Sequence, residues 1–343
     1  MKLTLDDARA LVAAKLRHAG ANQAMAAATA RALVLAEAQG LGSHGLSRVV
    51  QYCTHLKNGR VNPDAQPQVL RRKGGALVVD AQEGLAFAAC ELAVREAIAA
   101  ARSNGVAFAG VVRSHHCGVV VDHLRAVAEA GMVGLGFANS PAAMPAAGGR
   151  QPIFGTNPVA AAFARRPGAA AANGPVDPLL IDLSLSEVAR GKLMMAAKAG
   201  QSIPLGWALD ADGQPTTDPK AGMMGSMLPL GAVTSPKGAM LALVVELLVT
   251  ALIGAQFGFE ASSFFVDEGN RPGIGQAFVV LDPGALAGAD FYLSRVEVLV
   301  AEMLRDDGVR LPGARREALR RLAEAGGIEV ADALVAAWRA EVG

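Results

Sequence analysis

The sequence predicts an α/β protein in which helices cover the faces of a sheet, with further helices contributed by both ends of the chain. Between residues 68 and 281, short apolar segments of strand type alternate with helical segments, a pattern typical of such a sheet. The first 60 residues and the stretch from residue 289 onward are instead amphipathic and helical. The 343 residues suffice for about two domains and for a large core without disulfides.

Three helices are predicted in the N-terminal part of the chain. Thr4, followed three residues later by an acid, resembles a capping box and precedes a helix that stops at Gly20. Asn22 can cap a second helix, which ends before Gly40 because glycine commonly follows the last turn of a helix. A third helix is expected over 46–59.

A β-hairpin opens the central part of the chain, since 68–82 contains two strand-like runs joined by a Gly-Gly turn. The segments that follow are assigned from their apolar periodicity. Strands are expected at 106–112, 132–139, 158–163, 179–183 and 277–281, and helices at 86–103, 118–130, 186–199 and 239–257.

The apolar segment 239–257 is about as long as a bilayer is thick. Glu246 lies near its centre, where an ionised side chain is costly in lipid. We therefore expect a buried helix of a soluble protein and no membrane partner.

The composition argues against nucleic acid as a partner. Basic and acidic residues nearly balance, at 32 against 31, so no broad positive surface can neutralise phosphates. Aromatic residues make up only 4%, which leaves few rings on which single-stranded bases could stack. Three cysteines without a C-x-x-C spacing fit a reducing compartment, and Asp6 and Asp7 stand where a secretion signal needs an apolar run. A cytoplasmic location is therefore expected.

Residues 40–45 match the G-x-G-x-x-G pattern of dinucleotide-binding loops. In such loops a strand precedes the first glycine and a helix begins at the last, so that the phosphates lie at the helix N-terminus. Here the preceding segment has helical periodicity and no run of β-branched residues. A dinucleotide, if one binds, must be held by other means.

Several polar side chains stand out against the apolar background. His44 lies in a Ser-His-Gly turn, where it can donate a proton near neutral pH or simply cap a helix or face solvent. His115, His116 and Cys117 follow a predicted strand, but their spacing does not match a closed zinc site, so no metal is expected. Lys237 precedes a long helix, where it can bind an anion or remain a solvated loop residue.

Six segments resemble a known family when they are taken together in chain order. They are GSHGLSR (42–48), RSHHCG (113–118), FANSPAAMPAAGGRQPIFGTNPVA (137–160), IDLSLSEVARGK (181–192), ALDADGQPTTDP (208–219) and PKGAMLALVVELL (236–248). The family is the type 2 malate/L-lactate dehydrogenases, which are NAD(P)-dependent oxidoreductases, and the similarity spans essentially the whole chain. It implies that a dinucleotide binds without a Rossmann unit, on a mixed sheet between helical layers.

The resemblance also implies a homodimer with its active site in a cleft. We expect residues 1–71 and 285–343 to form a mainly helical region for substrate binding and dimer formation. Residues 72–284 are expected to form the α/β region that binds the cofactor, either NADPH or NADH. The partner is expected to be a small carboxylate substrate.

The resemblance further implies roles for individual residues. His44 would be the proton donor and acceptor, with Ser43 and Asp182 as its relay partners. Arg48 would clamp the substrate carboxylate with its planar fork, and His116 would lie near substrate and nicotinamide. The cofactor would contact His116, Gly118, Val119, Val120, Asn139, Ser140, Thr156, Asn157, Asp182, Leu183, Ser184, Lys237, Arg271, Gly273, Gly275 and Gln276.

Two features bear on how the cofactor is bound. Pro236 immediately precedes Lys237, where the resemblance leads us to expect glycine or a small polar residue, so the loop geometry can differ there. Arg165 and Arg166 follow a predicted strand and could hold a 2′-phosphate, or they could form a solvated basic loop. The phosphate interpretation favours NADPH over NADH.

The wall of the predicted substrate pocket favours one substrate class. Residues 261–265 include Ser262 and Phe264 and offer aromatic surface and hydroxyl groups, without a further cation for a second carboxylate. The resembled family includes a branch that reduces small cyclic 2-imino acids, and the lack of a second cation favours that branch. We therefore predict a reductase that transfers a hydride to C2 of a small cyclic 2-imino acid. The substrate would be Δ1-pyrroline-2-carboxylate or Δ1-piperideine-2-carboxylate, giving L-proline or L-pipecolate. The alternatives are a 2-hydroxyacid dehydrogenase for malate, lactate or a related acid, and a structural dimer without activity.

Overall fold

Helices and strands alternate through the middle of the chain in the structure, a computed structural model that describes residues 1–168 and 176–342. The helices are α1 (Leu5–His18), α2 (Gln23–Ala38), α3 (Arg48–Lys57), α4 (Ala86–Asn104), α5 (Val120–His123), α6 (Arg125–Glu129), α7 (Arg190–Ala199), α8 (Pro219–Met224), α9 (Lys237–Val249), α10 (Ala289–Met303), α11 (Ala314–Gly326) and α12 (Asp332–Val342). The strands are β1 (Lys2–Leu3), β2 (Gln68–Lys73), β3 (Ala76–Asp80), β4 (Val106–Ser114), β5 (Val133–Ala138), β6 (Met144–Pro145), β7 (Pro152–Phe154), β8 (Val159–Phe163), β9 (Leu179–Leu183), β10 (Ala208–Leu209), β11 (Pro215–Thr216), β12 (Ser226–Met227), β13 (Ile274–Leu281) and β14 (Ile328–Glu329).

The main sheet has the strand order β2-β3-β4-β13-β5-β8-β9. β3 and β4 run parallel, and the other neighbouring pairs are antiparallel, so the sheet is mixed, as the sequence predicted. Small residues on the inner strands let helices approach the backbone closely. A Cβ added at Gly136 of β5 would lie only 2.9 Å from the Val120 side chain, so α5 packs directly against that strand.

Two apolar layers flank the sheet. α4, α5 and α6 pack on one face, where Leu124 and Phe278 are buried. α9 packs on the other face, where Val245 and Ala277 are buried. The sheet is therefore the middle layer of an α/β/α arrangement, and the predicted fold class is confirmed.

The two ends of the chain meet in a separate helical region. β1 pairs with β14, and α1 packs against α2, α3 and α12 around a core that includes Leu16 and Trp338. The helical region contributed by both termini is thereby confirmed. The division into 1–71 with 285–343 and 72–284 stays a prediction.

Both predicted N-caps of the first helices are confirmed. The Asp7 amide donates a hydrogen bond to the Thr4 hydroxyl at 3.1 Å, and the Met25 amide donates to Asn22 Oδ1 at 2.9 Å. The predicted strands are also present, with small shifts of their ends.

Two predicted helices differ because of local hydrogen bonds. The helix predicted over 118–130 is divided into α5 and α6 at Leu124, whose amide bonds to the carbonyl three residues earlier and tightens the turn. The helix predicted over 186–199 begins later, because the Ser184 and Ser186 hydroxyls bond to each other at 2.6 Å in a turn before it.

The apolar helix predicted over 239–257 is shorter than its sequence suggests. Thr250 leaves the helical conformation, with φ −124° and ψ −80°, and its hydroxyl donates to the Glu246 carbonyl at 2.6 Å. Within residues 1–168 and 176–342, no helix is both long enough and apolar enough to cross a membrane.

Candidate active site

A single 3₁₀ turn between α2 and α3 carries Ser43 and His44. The Glu37 carboxylate holds this turn by accepting a hydrogen bond from the Leu46 amide at 2.8 Å. A Cβ at Gly45 would collide with that carboxylate, so this glycine is needed for close packing and not for a phosphate. Because α2 and not a strand precedes the turn, the structure agrees with the rejection of a dinucleotide loop here.

His44 is paired on one side and open on the other. Its Nδ1 lies 3.0 Å from Ser43 Oγ, whereas Nε2 has no hydrogen-bond partner among the described residues. Burial, together with the positive charges of Arg48 and Arg316, lowers the pKa of His44 to about 4. At neutral pH the free protein therefore presents a neutral ring whose Nε2 can exchange a proton with a substrate.

Four polar side chains project from one face of α3. Arg48, Gln51, Tyr52 and His55 stand at positions i, i+3, i+4 and i+7, a spacing that places side chains on one side of a helix. Arg48 Nε donates to the Ser43 carbonyl at 2.7 Å, and its Nη1 donates to Gln51 Oε1 at 2.8 Å. The Arg48 guanidinium is thereby fixed beside the turn that carries Ser43, as a carboxylate clamp would need to be.

The loop 261–270 is held against this face of α3 through its own backbone. Gln51 Nε2 donates to the Phe264 carbonyl. The Arg60 guanidinium, which follows α3 in the chain, donates to four further carbonyls, those of Ser262, Ser263, Val266 and Asn270. Arg60 is only 1% exposed and forms no ion pair within the described ranges, so these carbonyl dipoles are its direct partners. Burial lowers the pKa of Arg60, and the negative charge of Asp267 in the same loop acts in the opposite direction.

Two adjacent histidines at the end of β4 contact the same helix face. His116 Nδ1 lies 2.7 Å from the Tyr52 hydroxyl, and His115 Nε2 lies 3.0 Å from His55 Nδ1. Phe264 packs against both rings of the pair, with centroid distances of 5.0 and 5.2 Å. Burial lowers the pKa of His115 and of His116 well below the usual range, so both rings are neutral. In the described part of the chain, no three His, Cys, Asp or Glu side chains are grouped as a metal site.

Asp182 lies on β9, and its contacts differ from those of the predicted relay. Its Oδ2 accepts a hydrogen bond from the Val121 amide at 3.1 Å and lies 4.0 Å from Arg316 Nη1. Among the described residues, no hydrogen bond joins Asp182 to Ser43 or His44. Burial raises the pKa of Asp182 to about 6. Its role as a relay partner stays a prediction, and the structure shows no direct contact for it.

Several residues predicted to bind the cofactor are joined by a buried carboxylate. Glu246 of α9 accepts hydrogen bonds from Asn139 Nδ2 at 3.2 Å and from Asn157 Nδ2 at 2.8 Å. Asn139 Oδ1 in turn accepts one from the Gly275 amide at 2.9 Å. Asn157 has a φ of 38°, and its buried Oδ1 has no partner among the described residues. Such an open acceptor beside a strained backbone fits a bound ligand that donates an amide hydrogen.

Other predicted cofactor residues lie next to these. Ser140 Oγ accepts a hydrogen bond from the Thr156 amide at 3.1 Å, and Gln276 Nε2 donates to the His115 carbonyl at 3.2 Å. Leu183, at the end of β9, exposes 53% of its surface. The first contact joins the segment that follows β5 to the segment that precedes β8, and the second joins β13 to the residues that follow β4. That a cofactor lies along these segments stays a prediction.

Lys237 and Arg271 are placed very differently. Lys237 is exposed at the first residue of α9, and Pro236 fits the N-cap position before it with a φ of −76°. Arg271 instead donates to the Gly59 carbonyl at 2.9 Å and forms an ion pair with Glu83. The first cation is available to an anion, whereas the second is already paired.

Three side chains expected to contact ligands are engaged within the protein. Arg165 forms two hydrogen bonds to the Glu297 carboxylate at 3.0 and 2.7 Å, and Arg166 donates to the Ser294 hydroxyl at 2.9 Å. Both are thus committed to α10, which contradicts their interpretation as a 2′-phosphate site. The Ser262 hydroxyl accepts a hydrogen bond from the Asn270 amide of its own loop at 3.2 Å, and its contact with a substrate stays a prediction.

Arg190 is a cation that sequence reasoning missed. Its Cζ atom lies 5.4 Å from the ring centroid of Phe265, and the Cζ atom of Arg48 lies 5.1 Å from the same centroid. The expectation that no further cation stands at the pocket wall is therefore wrong. The polar spacing on α3 could have revealed Gln51 and its neighbours, but nothing local in the sequence connects Arg190 of α7 with a loop some seventy residues away.

Comparison with known proteins assigns the chain to a family. The family described as malate/L-lactate dehydrogenase matches residues 3–338. The chain belongs to the malate/L-lactate dehydrogenase family. The resemblance inferred from the six sequence segments is thereby confirmed, and this family member is an oxidoreductase of an NAD(P)-dependent family.

Individual family members give further detail. A (2R)-3-sulfolactate dehydrogenase (NADP(+)) from Chromohalobacter salexigens is 47% identical over 319 residues, which cover 93% of this chain and 92% of that protein. A Delta(1)-pyrroline-2-carboxylate/Delta(1)-piperideine-2-carboxylate reductase from Pseudomonas aeruginosa is 37% identical over 338 residues, or 97% of each chain. The crystal structure of delta1-piperideine-2-carboxylate reductase from Pseudomonas syringae pvar. tomato matches with a TM-score of 0.90 at 32% identity, over 99% of both chains.

Proposed function

We propose that this protein catalyses reversible hydride transfer between NADP(H) and C2 of a small 2-oxo or 2-imino acid. The observation that carries the proposal is the position of Arg48, whose Nε donates to the Ser43 carbonyl at 2.7 Å while Ser43 Oγ lies 3.0 Å from His44 Nδ1. A cation suited to a carboxylate and a ring suited to proton transfer thus stand side by side. A substrate with its reacting carbon next to a carboxylate needs this arrangement.

Reduction consumes one hydride and one proton. A bound nicotinamide cofactor would supply the hydride that C2 of the C=O or C=N bond accepts. Arg48 holds the adjacent carboxylate, and His44 Nε2 gives its proton to the oxygen or nitrogen, so that new C–H and O–H or N–H bonds replace the π bond. In the opposite direction, the neutral ring of His44 accepts the hydroxyl proton as the hydride leaves C2.

The pKa of His44 links proton transfer to substrate binding. In the free protein, a pKa of about 4 suits the ring to act as a base in oxidation. A carboxylate bound to Arg48 offsets one of the positive charges that lower this pKa. Burial, the largest cause of the low pKa, remains when an oxo acid binds, but the substrate carboxylate acts to raise the pKa and so favours protonation of the ring for reduction.

Two substrate classes are supported by different observations. A cyclic 2-imino acid is supported by the relatives named pyrroline-2-carboxylate reductases, which are 32–38% identical to this chain. The Phe264 ring packed against His116 offers an apolar surface for such a ring. 3-Sulfolactate, a 2-hydroxy acid, is supported by the relative that is 47% identical.

A substrate panel tests the proposal. The purified protein is assayed with NADPH and with NADH against both cyclic imines, 3-sulfopyruvate, pyruvate and oxaloacetate, following the loss of reduced cofactor. We expect turnover of at least one of these acids and a preference for NADPH, which the NADP(+) in the name of the 47% identical relative supports. Absence of turnover with every acid and both cofactors contradicts the proposal.

The role of His44 is tested by substitution. His44→Asn should lower kcat for a 2-oxo acid about 100-fold or more, because a positioned acid–base group typically contributes that much. The loss should be smaller for a cyclic imine that arrives already protonated. Affinity for the cofactor, measured by fluorescence titration, should not change. His18→Asn, on the exposed surface of α1, is the matched control, and full activity of the His44 variant would refute the role.

We infer that two copies associate through the outer face of α9, and not through residues 1–71 and 285–343, to which the sequence analysis assigned dimer formation. This face of the helix is apolar, since it carries four side chains that are each about half exposed, namely Met240, Leu241, Val244 and Leu247. Apart from Lys237 at its first residue, the charged side chain of α9 is Glu246, which is buried. Large exposed apolar patches of this kind mark association surfaces, and a second copy presents the same face. We also infer a cytoplasmic location, which is supported by the three buried free cysteines, Cys53, Cys90 and Cys117.

The dimer is tested by placing a charge on this face. Val244→Glu should reduce the mass measured by light scattering from that of a dimer to that of a monomer, since burying an unpaired carboxylate is costly. Leu205→Glu is the control, because Leu205 is 68% exposed and lies outside α9. A dimer that persists in the Val244 variant, or a monomeric wild type, rules out this interface.

A further inference from the structure

One aromatic ring stands between two guanidinium groups beside the candidate active site. The Cζ atoms of Arg48 and Arg190 lie 5.1 and 5.4 Å from the ring centroid of Phe265. Cation–π attraction of this kind fixes the position of each side chain relative to the ring. Because both contact the same ring, the two charged groups lie on the order of 10 Å apart or closer.

Neither of these two cations has an acidic partner among the residues that the structure describes. Within residues 1–168 and 176–342, no carboxylate lies within ion-pair distance of Arg48 or Arg190, whereas Arg125 and Arg165 each pair with a glutamate. Arg190 makes one hydrogen bond, from Nη2 to the Met223 carbonyl at 3.2 Å. Its remaining donors are unpaired among the described residues.

The environment of Arg190 disfavours an unbalanced charge. The side chain is half-buried, and burial lowers its pKa without any acidic group to raise it again. A partly desolvated cation is stabilised when an anion completes its hydrogen bonds. The planar fork of a guanidinium matches the oxygens of a carboxylate or a sulfonate.

We propose that Arg190 binds a second anionic group of the substrate, carried by the carbon next to C2, while Arg48 binds the carboxylate at C1. This inference rests on the proposed function and specifies the substrate class of the same site. Anionic groups at the two ends of a three-carbon acid are separated by roughly 4 Å, so a single small molecule can reach both cations. Phe265 acts as the spacer that keeps those cations apart.

The two-cation arrangement distinguishes between the candidate substrates. 3-Sulfopyruvate and oxaloacetate each carry a second anionic group and satisfy both arginines. A cyclic 2-imino acid or pyruvate carries a single carboxylate and leaves Arg190 without a counter-charge. We therefore expect the protein to prefer substrates with two anionic groups, and a sulfonate, with three oxygens and a permanent charge, offers the guanidinium more acceptors than a carboxylate does.

The test compares the same substitution on substrates with one and two charges. Arg190→Gln should lower kcat/KM for 3-sulfopyruvate by ~10- to 100-fold, mainly through KM, because a charge-assisted contact is lost. For pyruvate and for Δ1-pyrroline-2-carboxylate the change should stay within about 3-fold, since neither substrate uses that contact. Arg190→Lys should retain part of the preference. Lys198→Gln, an exposed cation on the same helix, is the control for a general loss of positive charge.

A binding measurement separates this inference from the proposed function. Calorimetry on the NADP⁺-loaded protein compares 3-sulfopropionate, whose two anionic groups have the spacing found in 3-sulfopyruvate, with propionate. Tighter binding of 3-sulfopropionate by the wild type, lost in the Arg190→Gln variant, supports the inference even if the turnover panel fails. An equal loss for singly and doubly charged substrates overturns it. So does turnover of imines without turnover of either doubly charged acid, or 3-sulfopropionate binding that the variant leaves unchanged.

Discussion

His44 and Asp182 share one positively charged neighbour, Arg316 of α11. Its charge acts to lower the pKa of both groups, and its Nη1 lies 4.0 Å from Asp182 Oδ2. That same nitrogen is buried and has no hydrogen-bond partner in the described part of the chain. The sequence resemblance implied that His44 and Asp182 are relay partners. The structure instead connects them through the charge of Arg316, which acts on both.

This coupling predicts the effect of removing the charge. Arg316→Gln should raise the pKa of His44 above its value of about 4 and the pKa of Asp182 above about 6, because a cation favours the deprotonated form of both groups. NMR titration of the free protein, labelled at its six histidines and assigned with a His44 variant, measures the first shift. Arg315→Gln, at the exposed neighbouring position, should leave it unchanged. An unaltered His44 titration in the Arg316 variant would show that the charge is screened.

At the residue scale, the contacts of the site that could be predicted are those between residues adjacent in the sequence. Ser43 and His44 are adjacent, so their hydrogen bond follows from one turn of backbone. The contact of Arg190 with Phe265 depends on how α7 and the loop 261–270 pack, and the paired state of Arg165 depends on α10. Such partners are chosen by tertiary structure, which a single sequence does not display.

α3 joins substrate binding to the loop 261–270 that carries the pocket wall. Its first residue, Arg48, is the predicted carboxylate clamp, and its third turn carries His55, whose Nε2 lies 3.1 Å from the Val266 carbonyl. Arg60 continues the same set of contacts just beyond the helix. A displacement of the loop would thus be transmitted to the residues that hold the substrate.

Weakening this attachment should loosen the loop. A lysine at position 60 has a single ammonium group, which cannot reach carbonyls that a guanidinium fork reaches together. Arg60→Lys should therefore speed amide hydrogen exchange across 261–270 and raise KM by about 10-fold, with a smaller change in kcat. Mass-spectrometric exchange and steady-state kinetics check this, with Lys57→Gln, at the exposed end of α3, as the control. Unchanged exchange across the loop would contradict the anchoring role.

At the element scale, helices with clear caps were predictable and their interruptions were not. α1 and α2 begin where Thr4 and Asn22 cap them, because those caps are local chemistry. α9 ends early at Thr250, and α5 separates from α6 at Leu124. In both places the hydrogen bonds of the backbone depart from the regular α-helical pattern, although the apolar periodicity of the sequence continues.

Buried histidines make the whole molecule sensitive to acid. Five histidines have a lowered pKa, and burial is the largest cause for each of them. They are His44, His55, His115, His116 and His123. Between the ordinary pKa of about 6.5 and the lower folded values, the unfolded chain binds more protons than the folded one, so stability falls as pH falls. Asp182 and Glu246, whose pKa values are raised, act in the opposite direction and offset part of this loss.

We therefore expect the free energy of unfolding to decrease from pH 7.5 to pH 5.5. A fully buried histidine such as His115, which is 1% exposed, should contribute about 1 kcal/mol of that decrease. Urea unfolding at several pH values measures the slope. His18→Gln, a substitution at an exposed position of α1, is the control for replacing a histidine. A free energy that stays constant or rises as the pH falls over this range would contradict the dominance of the buried histidines over Asp182 and Glu246.

The loop 261–270 is attached through main-chain carbonyls, and every amino acid has one. Arg60 and Gln51 would therefore keep their acceptors if Ser263, Phe264 or Phe265 were replaced by other residues. The position of the loop therefore does not depend on which side chains it carries. A library randomised at these three positions, with Arg60 intact, is accordingly the place to look for altered substrate preference without loss of the fold.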